Sequence, residues 1–291
     1  MATLSDIKRR ITSIRSTQKI TSAMKMVSAA KLRRAQDAIE SARPYAQRMR
    51  ETLEEVGSAE ANHPLFEQRE EKNHVEVVVI TSDRGLAGAY NTQVIKATGL
   101  LVKSRRSESS KVSLTIVGKK ASDYFKGPRG VDVSSSRPVG PNVTYLEAKQ
   151  VAAGLIARFE SGEVDEVVVV HNEFLSMMTQ PVKIVPLLPF VPPQEKPGEG
   201  GEEEDRAPYE VEPNAERLLS TLVPKAVEVE LFRALLENQA GERAARMTAM
   251  ENATKNTEEL IEKLTLVYNR ARQAAITSEL VEIITGAQAQ E

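Results

Sequence analysis

The chain has no cysteine and no tryptophan, and only 6 phenylalanines and 6 tyrosines serve its 291 residues. Without cysteine there is no disulfide frame, no thiolate metal site and no cysteine nucleophile. So few aromatics fit a modest core better than one large globule, and the Ala, Glu, Lys, Arg and Leu that dominate both ends are the residues of elongated helical proteins. Long apolar runs are missing as well. Even the uncharged stretch Ile184–Gln194 falls far short of the roughly 18 residues that a membrane-crossing helix needs. The opening residues carry Asp6, Lys8, Arg9 and Arg10 without an apolar segment, which predicts neither a secretory signal nor a transit peptide. Histidine is scarce, and His63, His74 and His171 lack any ligand spacing, so no metal and no cofactor are expected.

What the chain does have is uneven charge. Its formal net charge is only -2, yet residues 1–50 hold 12 Lys/Arg against 3 Asp/Glu. Residues 195–213 hold 8 Asp/Glu against 2 Lys/Arg and are broken by Pro197, Gly198, Gly200, Gly201, Pro208 and Pro213, which predicts an acidic, flexible insert. A basic amino-terminal helix suits nucleic acid, anionic lipid or an acidic protein surface, and charge alone does not choose among them.

Periodicity is strongest at the two ends. Leu4, Ile7, Ile11, Ile14, Gln18, Thr21, Lys25, Ser28, Leu32, Ala35, Ile39 and Ala42 alternate spacings of four and three, the seam of a heptad helix. That helix is expected to run from about Leu4 to Val56, with Pro44 as a kink or a change of neighbours and Gly57 as its end. Near the carboxy terminus Leu260, Leu264, Val267, Ala271, Ala274, Ser278 and Val281 repeat the alternation, Gly286 is a natural stop, and helical character reaches back to Pro224, which suits the first turn of a new helix or a kink in a longer one. Two helices of similar length, neither able to bury a stripe alone, predict an antiparallel coiled coil.

Between them Val75–Thr81 reads as a strand, followed by the turn Gly85-Leu86-Ala87-Gly88 and a helix over about 91–102. Val112–Val117, Asp165–Val170 and Val182–Phe190 read as further strands and Thr144–Phe159 as a helix, giving a small, mainly parallel sheet. The fold class is therefore α/β: a long antiparallel coiled coil of the terminal helices with an inserted Rossmann-like α/β domain. The expected divisions are residues 1–60, 74–192, 193–213 and 214–291.

Candidate chemistry is thin. The glycine turn at Gly85–Gly88 could cradle a phosphate, but it lacks the Lys-Ser/Thr of a P-loop and the third glycine of a dinucleotide fingerprint, so a plain strand-to-helix turn is the competing reading. Asp83 and Glu173 follow strands, where active-site acids often sit, yet neither has an evident partner in the sequence. The patches Lys8-Arg9-Arg10 and Lys31-Leu32-Arg33-Arg34 lack interleaved aromatics, which disfavours single-strand stacking and leaves DNA backbone or an acidic protein as partners. Gln18, Thr21, Met24, Met26 and Ser28 make poor glue for a dry seam and suit a surface that slides past several neighbours.

The run Ile276-Thr277-Ser278-Glu279-Leu280-Val281-Glu282-Ile283-Ile284-Thr285-Gly286-Ala287 resembles the carboxy-terminal signature of the gamma subunit family of F-type ATP synthases. Lys19–Val27, Ser82–Asn91 and Ala244–Met250 resemble further blocks of that family, and only the acidic 195–213 stretch looks like an insertion. The resemblance implies a rotating central shaft in a ring of three alpha and three beta subunits, joined to an epsilon subunit and a c-ring. It also implies no catalysis by the chain alone and a peripheral position on the cytoplasmic face of the cell membrane, and the missing transit peptide points to a bacterial source. Nucleic acid is then not a partner. Carried over by motif, Met24 and Lys25 face an acidic lever segment of beta and Arg246 couples to them. Arg272 and Gln273 meet a catch loop of beta, with Thr277, Glu279 and Glu282 close by.

Overall fold

The structure, a computed structural model, describes residues 3–57, 63–69, 71–108, 110–127, 131–191 and 215–288. The acidic insert expected at 195–213 lies outside the described residues. Two compact units make up the chain, one of Met1–Ala30 with Arg246–Glu291 and one of Lys31–Ala245. The elements in order are α1 (Leu4–Gly57), a 3-10 turn (Pro64–Phe66), β1 (His74–Ile80), α2 (Tyr90–Ser107), β2 (Lys111–Val117), α3 (Lys119–Phe125), β3 (Asp132–Arg137), α4 (Tyr145–Glu160), β4 (Glu166–Asn172), β5 (Val182–Leu188) and α5 (Ala215–Gln288).

In the unit of Lys31–Ala245 the five strands form one sheet in the order β3-β2-β1-β4-β5. The first four are mutually parallel and β5 runs antiparallel to β4. Every residue of β1 and β4 is buried, as expected of central strands covered on both faces. Alternation divides β1 between two cores. Val75, Val77 and Val79 join Val94 and Val102 of α2, whereas Val78 and Ile80 join Val151, Leu155 and Phe159 of α4 and Leu219, Val223, Val227 and Leu231 of α5. Thr144 caps α4 with a full capping box, its side chain accepting from the Glu147 amide while Glu147 reaches back to the Thr144 amide.

Several expectations are corrected. Helix α5 starts at Ala215, close to the expected division at 214, and has 74 residues; of the two readings of Pro224, a position inside a longer helix holds, because Leu219, Val223, Val227 and Leu231 form an i, i+4 stripe whose burial outweighs one lost backbone hydrogen bond. It also continues past Gly286 to Gln288, since a glycine ends a helix only when it takes up the left-handed conformation. Pro44 sits inside a continuous α1 of 54 residues that ends at Gly57, as anticipated. Strand β3 and helix α3 were not foreseen: Asp132-Val133-Ser134-Ser135-Ser136-Arg137 is a polar edge strand without an apolar alternation to betray it.

Candidate functional site

In the unit formed by the start of α1 and the end of α5, the two segments run antiparallel. The hydroxyls of Thr21 and Thr254 meet at 2.8 Å, and Lys25 Nζ donates to Glu251 Oε1 at 3.0 Å. The Lys25 ammonium also holds the Glu251 carboxyl below its usual range. All twelve residues expected in the α1 seam face inward, from Ile7 and Ile11 to Leu32 and Ala35. Its polar centre is not a defect in a dry seam, because its side chains bond across to hydroxyl and carboxylate groups of α5.

The α5 seam differs from the expected one. Leu264 and Ala271 do face inward, but Leu260, Val267 and Val281 are about half exposed. Thr257, Ile261, Leu264, Tyr268, Ala271 and Ala275 carry the four-three alternation instead. The apolar side chains at 260, 267 and 281 drew attention away from the Thr, Tyr and Ala positions that actually pack. Extending the pairing of Thr21 with Thr254 sets Leu4, where α1 begins, opposite Ala271. Beyond that point, among the described residues, α5 has no α1 partner for its last turns, and every residue from Ile276 to Thr285 is exposed.

The residues singled out by motif fall into two groups. Arg272, Gln273, Thr277, Glu279 and Glu282 stand on that unpaired tip, fully on the surface. Met24 and Lys25 lie on α1, both half-buried, and Lys25 is already committed to Glu251. Arg246 is buried rather than displayed. The three histidines are widely separated and separately engaged. His63 Nδ1 accepts from the Leu65 amide, His74 bonds to the Glu163 carbonyl and Ser113, and His171 meets Glu237 at 3.3 Å.

Within the unit of Lys31–Ala245, the turn Ser82–Gly88 is a structural turn. Leu86 and Gly88 take positive φ, of 63° and 57°. Asn91 Oδ1 accepts from the Ser82 amide, and Asp83 Oδ1 accepts from the amides of Lys119 and Val139 at 2.8 and 3.1 Å, tying the turn to α3 and to the loop after β3. Asp83 is thus a loop organiser, and Glu173 is paired with Lys183 at 3.0 Å. Sequence reasoning missed two buried clusters. Glu76, fully buried on β1, accepts from Thr115 at 2.6 Å, Ser134 at 3.1 Å and Arg158 at 2.8 Å, and also from Ser113. Tyr90, at the start of α2, donates from its phenol to the Asn238 carbonyl at 2.8 Å and faces Asn238 Oδ1 at 3.0 Å. Burial pushes that phenol's pKa up, so it stays a neutral donor. The one sequence signal for this contact was Gly241 in mid-helix, where a Cβ would come within 3.0 Å of the Tyr90 ring.

The comparisons with known proteins agree with this architecture. A family model described as ATP synthase matches residues 3–290. The chain is 46% identical to the ATP synthase gamma chain of Desulforamulus reducens over 295 residues, covering 100% of both chains, and 45% identical to that of Trichlorobacter lovleyi, covering 99% of both. Among solved structures it resembles a chain from the central stalk and c-ring of the Tetrahymena thermophila mitochondrial ATP synthase. That match has a TM-score of 0.58 and 26% identity, and covers 80% of this chain and 99% of the other. It shares its fold with a chain of the Euglena gracilis mitochondrial enzyme, with a TM-score of 0.67 and 22% identity over 99% of this chain and 94% of the other. A match along the whole sequence, with the same sheet between two long helices, leaves one conclusion: this chain belongs to the ATP synthase gamma chain family.

Proposed function

We propose that this chain turns inside a ring of alpha and beta subunits and so couples proton flow through a membrane sector to ATP synthesis and hydrolysis. As a gamma chain it is a subunit of ATP synthase and not an enzyme by itself. The observation that carries the reading is the bare end of α5. Ile276, Leu280, Val281, Ile283 and Ile284 are each about half or more exposed along one unpaired helix, an apolar surface of the kind that marks a protein interface. The surrounding ring would cover it, with Arg272, Gln273 and Thr277 as polar contacts to a beta loop and Glu279 and Glu282 nearer solvent. Lower on the pair, Met24 would meet an acidic beta segment. Lys25 would meet it as half of an ion pair with Glu251, so the local surface is less positive than the basic run of α1 suggests. Arg246, being buried, would act through neighbouring side chains. The epsilon subunit and the c-ring are the further partners, and the chain would lie peripherally on the cytoplasmic face of the membrane.

No observation favours nucleic acid over this ring. The deciding experiment is affinity purification of the tagged chain: one copy with three alpha and three beta subunits is the expected result. Salt-sensitive retention on DNA without those subunits would overturn it. Within the assembled complex Met24→Lys, which adds a cation opposite an acidic surface, is expected to lower proton pumping per ATP hydrolysed in membrane vesicles while leaving assembly intact.

A further inference from the structure

We propose that the crevice at the carboxyl ends of β1 and β4 serves this chain as a torsional lock, gripping one turn of α5 so that the helix cannot roll or slide against the sheet. The proposal rests on the rotor reading. In doubly wound sheets the ligand crevice opens where connections leave neighbouring strands in opposite directions. Here that point falls between β1, which continues through α2 on one face, and β4, which is reached through α4 on the other. Glu237, Asn238 and Gly241 of α5 lie over the ends of these two strands, bonded to His171, Thr81 and Tyr90 or packed on them.

The grip is directional. The Tyr90 phenol donates to the Asn238 main-chain carbonyl, Asn238 Nδ2 donates to the Thr81 carbonyl at the end of β1 at 3.3 Å, and Asn172 Nδ2, at the end of β4, donates to the Tyr90 carbonyl at 3.3 Å. Glu237 meets His171 of β4 and is held from behind by Arg233 at 2.9 Å. Tyr90, Thr81, His171, Asn172 and Asn238 are all buried, so these bonds have no water to replace them if they break. Gly241 lets the tyrosine ring lie against the helix backbone.

The other contacts of α5 in this unit fix its rotation less well. Ala240 and Ala244 pack on Leu32 and Ala35 of α1, and the upstream stripe is aliphatic. Further polar ties lie nearer solvent: the hydroxyl of exposed Tyr145 donates to Glu228, and Gln239 and Arg243 donate to the exposed Pro141 carbonyl at 3.1 and 3.4 Å, where water can replace them. Apolar contact is non-directional. A small roll or slide of α5 would keep much of that apolar contact yet break the hydrogen bonds of the lock, whose distances and angles tolerate little change. Buried polar groups are best attested in this register-fixing role. Tyr90, Asn238 and Gly241 are therefore positioning residues for torque transfer between α5 and the sheet.

The test uses the assembled complex with Tyr90→Phe/Asn238→Ala. A bead is attached through a cysteine introduced at exposed Lys103 on α2, and the ring is held on a surface. Torsional stiffness, read from the angular fluctuation of the bead, is expected to fall by at least about twofold, and proton pumping per ATP hydrolysed in vesicles to fall with it. A control variant, Leu114→Ala in the α2-side core, loosens the domain without touching the lock and is expected to leave stiffness unchanged. Should the double variant fail to assemble, Tyr90→Phe alone, which keeps the ring and removes only the donor, is read the same way. Parental stiffness in a lock variant that has lost thermal stability would overturn the proposal by making the cluster merely structural. Failure of the parent complex to rotate the bead at all would count against the rotor reading instead.

Discussion

At the scale of single residues, Glu76 is the position with most at stake. It is a buried carboxylate whose acceptors are filled by three hydroxyls and Arg158, and Glu76→Ala would take the acceptor away from the buried hydroxyls of Ser113 and Thr115 while Arg158 keeps its second partner, Glu163, at 2.9 Å. Leaving a buried donor without its acceptor costs about 1–3 kcal/mol, so urea unfolding of the variant should show a loss of that order. Asp165 gives a pH signature. Burial works to raise its pKa, but Arg69, bonded at 2.8 Å, and the His74 amide outweigh this and hold it below the usual carboxylate range. A depressed acid contributes stability that is whole above its unfolded pKa and is lost as pH falls through the folded value. Acid unfolding should therefore steepen below the ordinary Asp range, and Asp165→Asn should flatten it. None of these residues was legible in the sequence: a Glu in a Val-rich strand or an Asp before one shows no partner until distant segments meet. The motif residues at the α5 end were legible, because their exposure follows from a local pattern on one helix.

At the scale of elements, the α1 seam could be read in full from spacing, whereas three of the seven α5 seam positions, Leu260, Val267 and Ala274, were read one residue off and two more, Ser278 and Val281, lie on the exposed end. The difference is physical. In α1 the inward residues are mostly the apolar ones, while in α5 the packed face uses Thr257, Tyr268 and Ala275 and the apolar Leu260 and Val267 point outward. The shifted seam makes a direct prediction: Ile261→Ala should destabilise the purified chain by about 1–2 kcal/mol, and Val267→Ala by under about 0.5 kcal/mol, in thermal or denaturant unfolding. The equality of the two would return the seam to its earlier register. Gly118 tests the joint between β2 and α3. Its φ is 116°, and a Cβ there would run into the Thr81 carbonyl, so Gly118→Ala should cost about 2 kcal/mol or more, well beyond an ordinary surface change. Strand β3 escaped sequence reading because a polar edge strand buries too little to leave a period.

At the scale of the whole molecule, composition and periodicity set the architecture, and motif resemblance supplied the family. What lay beyond both was that the sheet would use its ligand crevice to hold a helix of the same chain. The pairing of α1 with α5 also has a consequence for how the chain is made. Thr21 finds Thr254 across 233 positions of sequence, and Lys25 finds Glu251 across 226. Closing so wide a loop is slow and comes late, because its entropy must be spent before any contact repays it. During synthesis the sheet strands, all encoded between residues 74 and 188, can assemble first. The inward face of α1, with Ile7 and Ile11, leaves the ribosome more than 200 residues before the α5 segment that covers it, so it is where a chaperone would bind the nascent chain.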